Sequence, residues 1–164
     1  MSNPSNLSKF ALSNSHLDKL EQIISIEDRA AKQISSWSVY LQVEHVLLVN
    51  SSISEMISKG VEPEEIKNRT LLSYLVFAFG YIPRGKGKAP EHVLPCRISQ
   101  IELINCIKKL REQYLEISKL DTLNSKLIVG NHPFFGALNR KQWLRFMEIH
   151  TNHHLKIIND IEST

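Results

Sequence analysis

Trp143, Met147, His150, His154, Ile157 and Ile161 recur at alternating steps of four and three, the period of a single buried helical seam. A segment patterned this way must lay the stripe against other apolar surface, yet two histidines interrupt it. Side chains four apart on a helix have Cβ atoms about 5–6 Å apart, close enough for two imidazoles to converge on one ion. In the segment from Trp37 to Ile57, Gln42, His45, Val49, Ile53 and Met56 share a stripe that directs His45 into a core as well. A third ligand is then within geometric reach. Spacing alone leaves the competing reading open, in which these are hydrogen-bonded core histidines. Three neutral imidazoles buried together would, however, leave polar groups that each cost about 1–3 kcal/mol if unsatisfied.

The rest of the chain reads as helices separated by turn signals. Residues 1–15 are polar and rich in Ser and Asn, so a loose arm is expected before a domain that spans residues 16–164. Leu20, Ile23, Ile24, Ala30, Ala31 and Ile34 predict an amphipathic helix over 17–34. Ser35 and Ser36 offer caps for a second helix that should end at Gly60. Pro63 suits the first turn of a third helix running to about Phe79, where Gly80 and Pro83 stop it. Ser99 with Glu102 and Asn139 with Gln142 have capping-box spacing, which predicts helices over about 99–118 and from 139 to about Ile161. Residues 121–138 read as turn-rich, and no segment alternates with period two between hairpin turns. The expected class is all-α, with four or five packed helices.

The net charge of +3 arises from 20 basic and 17 acidic residues scattered along the chain, so no basic stripe suggests nucleic acid or a membrane surface. Cys96 and Cys106 fit neither a zinc knuckle nor a disulfide framework and read as free thiols in a reducing compartment. The first thirty residues hold no apolar run of signal-peptide length, and the nearly apolar stretch Leu71 to Phe79 is too short to span a bilayer. The cytoplasm is the expected location.

Trp37-Ser38 followed by Gln42 and His45, the loop His132-Pro133-Phe134-Phe135-Gly136-Ala137-Leu138, and Trp143 leading to His150-x-x-x-His154-Leu155 together resemble the DinB/YfiT-like superfamily. Within it they are similar to a branch of bacterial proteins whose C-terminal motif reads HPFFG-L, then EW, then H-x-x-HHL. The resemblance runs from about residue 17 to 160. It implies an all-α four-helix bundle with an additional short helix, often dimeric, so a homodimer is an expectation. It also implies a divalent metal ion, zinc or nickel, held by His45, His150 and His154. Members with established activity use the ion to activate a low-molecular-weight thiol. The resemblance therefore points to a thiol transferase or hydrolase acting on a small-molecule substrate, with non-catalytic metal-binding and metal-free interaction bundles as alternatives. The branch often has Asp where this chain has Asn152, a change just outside the ligand set.

Around that set, His132 heads the apolar loop and is the candidate catalytic residue, as a proton carrier at the site's rim; support of a turn is its plainer role. His153 lies about 100° around the helix from His154 and is left out of the ligand set. Gln42, one turn from His45, is a candidate partner for a ligand ring. Arg84, Lys86 and Lys88 form a basic loop, read first as solvated and second as a receiver of carboxylates. Cys96 and Cys106 receive no nucleophile assignment.

Overall fold

A computed structural model of the chain describes residues 4–85, 87–120 and 126–164, with side chains described from residue 13 onward. In chain order the elements are α1 (Pro4–Ile24), α2 (Val39–Lys59), α3 (Leu71–Phe79), a single 3-10 turn at Glu91–Val93, α4 (Gln100–Ser118), strands β1 (Ile128–His132) and β2 (Gly136–Asn139), and α5 (Arg140–Glu162). The four long helices pack on one another, with α2 against α4 and α5, and α1 against α4. Leu20, Val43, Ile57, Leu103, Ile107 and Ile158 are fully buried between them.

The expectation of an all-α bundle is corrected by β1 and β2, which form an antiparallel two-stranded sheet and make the fold mixed α/β, though mostly helical. The strands escape a period-two reading for physical reasons. They are five and four residues long, and the register shifts between Ile128 and Gly130. Gly130 carries no side chain to mark a face, and three consecutive residues of β2 are buried, so the usual in-out alternation is absent.

Helix boundaries set by local capping agree with the pattern. The Ser99 side chain and the Glu102 carboxylate cap each other's backbone at the start of α4, and Asn139 and Gln142 do the same for α5. Gly60 closes α2 in the left-handed conformation, at φ 61°. Boundaries set by distant groups differ. The helix expected over 17–34 begins at Pro4, inside the expected loose arm, and ends at Ile24. Its terminal carbonyl is taken by the Tyr40 hydroxyl at 2.9 Å and the Gln100 amide at 2.6 Å. The cap of α2 is Ser38 rather than Ser35 or Ser36. Residues 121–125 of the expected turn-rich stretch, and residues 1–3 of the arm, lie outside the described residues.

The helix expected from Pro63 begins only at Leu71, because residues 65–70 bond to the hairpin instead. Lys67 donates to the Asn131 side chain at 3.0 Å and accepts from the Ala137 amide at 2.9 Å, while Thr70 donates to the Phe135 carbonyl at 3.2 Å. This contact explains Gly136 in the His132-to-Leu138 loop. Its φ is +77°, and a Cβ there would run into the Asn68 carbonyl. Phe135, one residue before it, is buried in the core. Among the described residues no helix is long and apolar enough to cross a membrane.

Gly136→Ala combines left-handed backbone strain with a clash against main chain, and is expected to lower stability by about 2–4 kcal/mol. Denaturant unfolding measures it; a change below about 0.5 kcal/mol, the scale of ordinary surface substitutions, would mean that the 65–70 contact does not constrain the hairpin.

Candidate metal centre

Two helices bring the three sequence-selected histidines together. His45 projects from α2, and His150 and His154, one turn apart, project from α5; each is less than one-tenth exposed. All three offer a ring nitrogen within 4.8 Å of the others. The rings meet edge to face, with centroids 5.1 Å apart for His45 and His150, 4.9 Å for His45 and His154, and 4.5 Å for His150 and His154.

Hydrogen bonds fix which nitrogens face inward. His45 Nδ1 lies 2.8 Å from the Val93 carbonyl, which can only accept, so Nδ1 carries the proton and Nε2 keeps its lone pair. His154 Nδ1 donates to Gln42 Oε1 at 2.6 Å. Gln42 is in turn oriented by Ser35, whose hydroxyl oxygen accepts from the Gln42 amide nitrogen at 2.9 Å and from the Trp37 backbone N–H at 3.1 Å. His154 therefore also presents an unprotonated Nε2, 3.2 Å from His150 Nε2. With metal–nitrogen bonds of about 2.0–2.1 Å, two tetrahedral ligand nitrogens stand roughly 3.3–3.4 Å apart, so this pair fits an ion. Nδ1 of His150 is buried with no hydrogen-bond partner among the described residues.

Burial pushes all three imidazoles below the ordinary histidine range; it is the largest cause at each, neighbouring histidines adding repulsion at His150 and His154 while the Val93 carbonyl partly offsets it at His45. They are neutral near pH 7, the state a metal ligand needs. Trp37 lies against the His45 ring at 5.0 Å and Phe146 against His150 at 5.4 Å, forming aromatic walls.

The other candidate residues sit around this centre. His132 ends β1, stacked on Phe135 at 4.1 Å and edge-on to Phe146 at 4.6 Å, so Phe146 touches both His132 and His150. Its Nδ1 accepts the Phe134 N–H at 3.1 Å, and burial lowers its pKa to about 4. His153 is held by the Ile82 backbone. Asn152 faces α1, where it pairs with His16 at 3.1 Å. Arg84 of the basic loop is engaged by Asp160 at 2.7 Å, and Lys86 lies outside the described residues. The thiols are free; Glu44 raises the pKa of Cys96, and burial raises that of Cys106.

Sequence reasoning did not find the segment that anchors α2 at this end. Glu44, buried beside His45, accepts the backbone N–H groups of Cys96, Arg97 and Ile98 at 2.8, 3.0 and 3.4 Å, and the Cys96 thiol at 3.2 Å. Arg97 adopts φ 67°, which turns successive amides toward one carboxylate. Consecutive residues of α2 thus grip both ends of segment 93–98. A Glu in the otherwise uncharged stretch 39–54 of α2 was the available signal; a backbone carbonyl such as that of Val93 leaves none.

These histidines are neutral when folded but gain a proton near pH 6.5 when unfolded. Below pH 6.5 the unfolded chain therefore binds more protons, and stability falls as pH falls. For His132 alone, held at about 4, the loss reaches roughly 3 kcal/mol between pH 6.5 and 4. Melting temperatures with chelator present should drop steeply from about pH 7 to about pH 5; a level profile would contradict the buried, neutral assignment.

The family described as Protein of unknown function (DUF1569) matches residues 105–160 of the chain, a stretch that contains His132, His150 and His154 but not His45. No curated protein and no solved structure matches the chain.

Proposed function

We propose that the chain is a divalent-metal-dependent enzyme acting on a small molecule, as a hydrolase or a transferase of a low-molecular-weight thiol, with His45, His150 and His154 holding the ion. The observation that carries this reading is the convergence of three buried neutral imidazoles, two of them with Nδ1–H tied outward so that Nε2 faces the others. Three imidazoles suit zinc or nickel and leave coordination positions for water or substrate, the pattern of catalytic rather than structural sites. A divalent cation there would lower the pKa of a coordinated water or thiol and so supply a nucleophile near neutral pH. The chain's own groups set the geometry. The Val93 carbonyl fixes the His45 ring, Ser35 and Gln42 fix the His154 ring, and Trp37 and Phe146 shield the ligands from solvent. The thiol option rests on the resemblance to DinB/YfiT-like proteins.

A metal-free module is the rival reading, favoured by the 3.2 Å separation of the two Nε2 atoms, which also suits a direct hydrogen bond between neutral rings. Elemental analysis of protein purified without an affinity tag separates the two. His45→Ala, His150→Ala and His154→Ala should each abolish most metal occupancy, while His16→Ala and His92→Ala retain it; full occupancy in His45→Ala would overturn the cross-helix site. Gln42→Leu, which removes the acceptor for His154, should weaken metal affinity about 10–100-fold while the fold persists. Metal at a hundredfold excess over Kd should add about 2.7 kcal/mol of stability, so a melting temperature unmoved by chelator favours the metal-free module. A screen of small thiols and water against electrophiles tests catalysis. Turnover that disappears in His150→Ala supports the enzyme; a metal-loaded protein without turnover leaves a non-catalytic metal-binding domain.

A further inference from the structure

His132 carries more chemistry than a turn needs. Phe134, Phe135, Trp143 and Phe146 surround its ring at centroid distances of 6.1, 4.1, 5.7 and 4.6 Å, a cage that a phenyl ring would fill without the cost of drying two ring nitrogens. Turn support accounts for one nitrogen. Nδ1 accepts the Phe134 N–H at 3.1 Å, and an accepting nitrogen carries no proton, so the neutral ring holds its proton on Nε2. That Nε2–H has no hydrogen-bond partner among the described residues. The half-buried ring shares the Phe146 wall with His150 and lies near enough to repel it when charged. An oriented donor without a partner thus stands beside the proposed metal centre.

We propose that His132 is a catalytic hydrogen-bond donor, whose Nε2–H holds the carbonyl oxygen of a small uncharged acyl substrate, an ester or amide, while that oxygen gains charge. The assignment rests on the metal centre proposed above and replaces the proton carrier expected from the sequence. In the addition step a deprotonated nucleophile bonds to the carbonyl carbon and the C=O π pair moves onto oxygen. Return of that pair expels the leaving group with its bonding electrons. His132 meets the oxygen's charge throughout and keeps its own proton, as an oxyanion-stabilising donor does. Burial suits the ring to this role, because a pKa of about 4 leaves it neutral at pH 7. A general base would need a free lone pair, and the only one on the ring is taken by Phe134. The four aromatic rings supply no countercharge, which favours an uncharged substrate over an anionic one.

The full chain, metal-free and zinc-loaded, tests this. Long-range 1H–15N spectra of the histidine side chains should show the Nε2–H tautomer of His132 from about pH 5.5 to about pH 8 in both forms. Acetohydroxamate, whose oxygens bind zinc and accept hydrogen bonds, serves as the probe, followed by calorimetry and by a downfield shift of the His132 Nε2-bound proton. His132→Asn keeps an acceptor for the Phe134 N–H and loses the donor. His132→Gln sets an N–H near the place of Nε2 and loses the turn bond. The Asn variant should bind acetohydroxamate to its zinc form about tenfold more weakly or worse, and the Gln variant within about threefold of wild type. Both should keep zinc, with circular dichroism checking the fold of each. A purely turn-supporting His132 predicts the opposite order. An Nδ1–H tautomer, a wild-type Nε2 proton unmoved by the probe, or a folded, zinc-loaded Asn variant that binds it as tightly as wild type overturns the assignment while leaving the metal centre standing. A wild type that takes up no zinc overturns the centre itself and the assignment with it.

Discussion

An imidazole excluded from water must dispose of one proton and one lone pair, and three such rings in mutual contact must do so without opposing proton to proton. In this chain α2 and α5 meet that constraint by sending protons outward, from His45 to the Val93 carbonyl and from His154 to Gln42. The chemistry proposed for the centre depends on this division, because only the resulting lone pairs can face a cation. Burial enforces it, since protonating any ring would place a charge in a poorly solvated space beside two others.

The remainder of the architecture serves to hold those outward partners. Ser35, in the turn before α2, orients Gln42, and Glu44 gathers the amides of residues 96–98 so that the preceding Val93 carbonyl stays within reach of His45. On the α5 side, the hairpin delivers Phe135 and His132 against Phe146, which backs His150. Residues 65–70 seal that hairpin through Lys67 and Thr70.

What the sequence makes legible is what neighbours decide. The seam of α5 and the Ser99 and Asn139 capping boxes are readable because their partners lie within four residues, and the grouping of His45, His150 and His154 follows from two such seams meeting. The end of α1 is not, because Tyr40 and Gln100 decide it from 16 and 76 residues away. The hairpin is hidden because a register shift and Gly130 interrupt its alternation. Val93 is hidden for a different reason: its contribution is a carbonyl that every residue possesses.

The Gln42–His154 bond joins residues 112 positions apart, and that separation bears on the order of events in folding. Neither half of the ligand set can complete the other until the chain between them has closed that long loop, a late and entropically costly step. An ion that requires all three rings therefore finds little to bind in a chain still searching. An ion bound there would act on the escape from the native state, as a brake on unfolding rather than as a nucleus for folding.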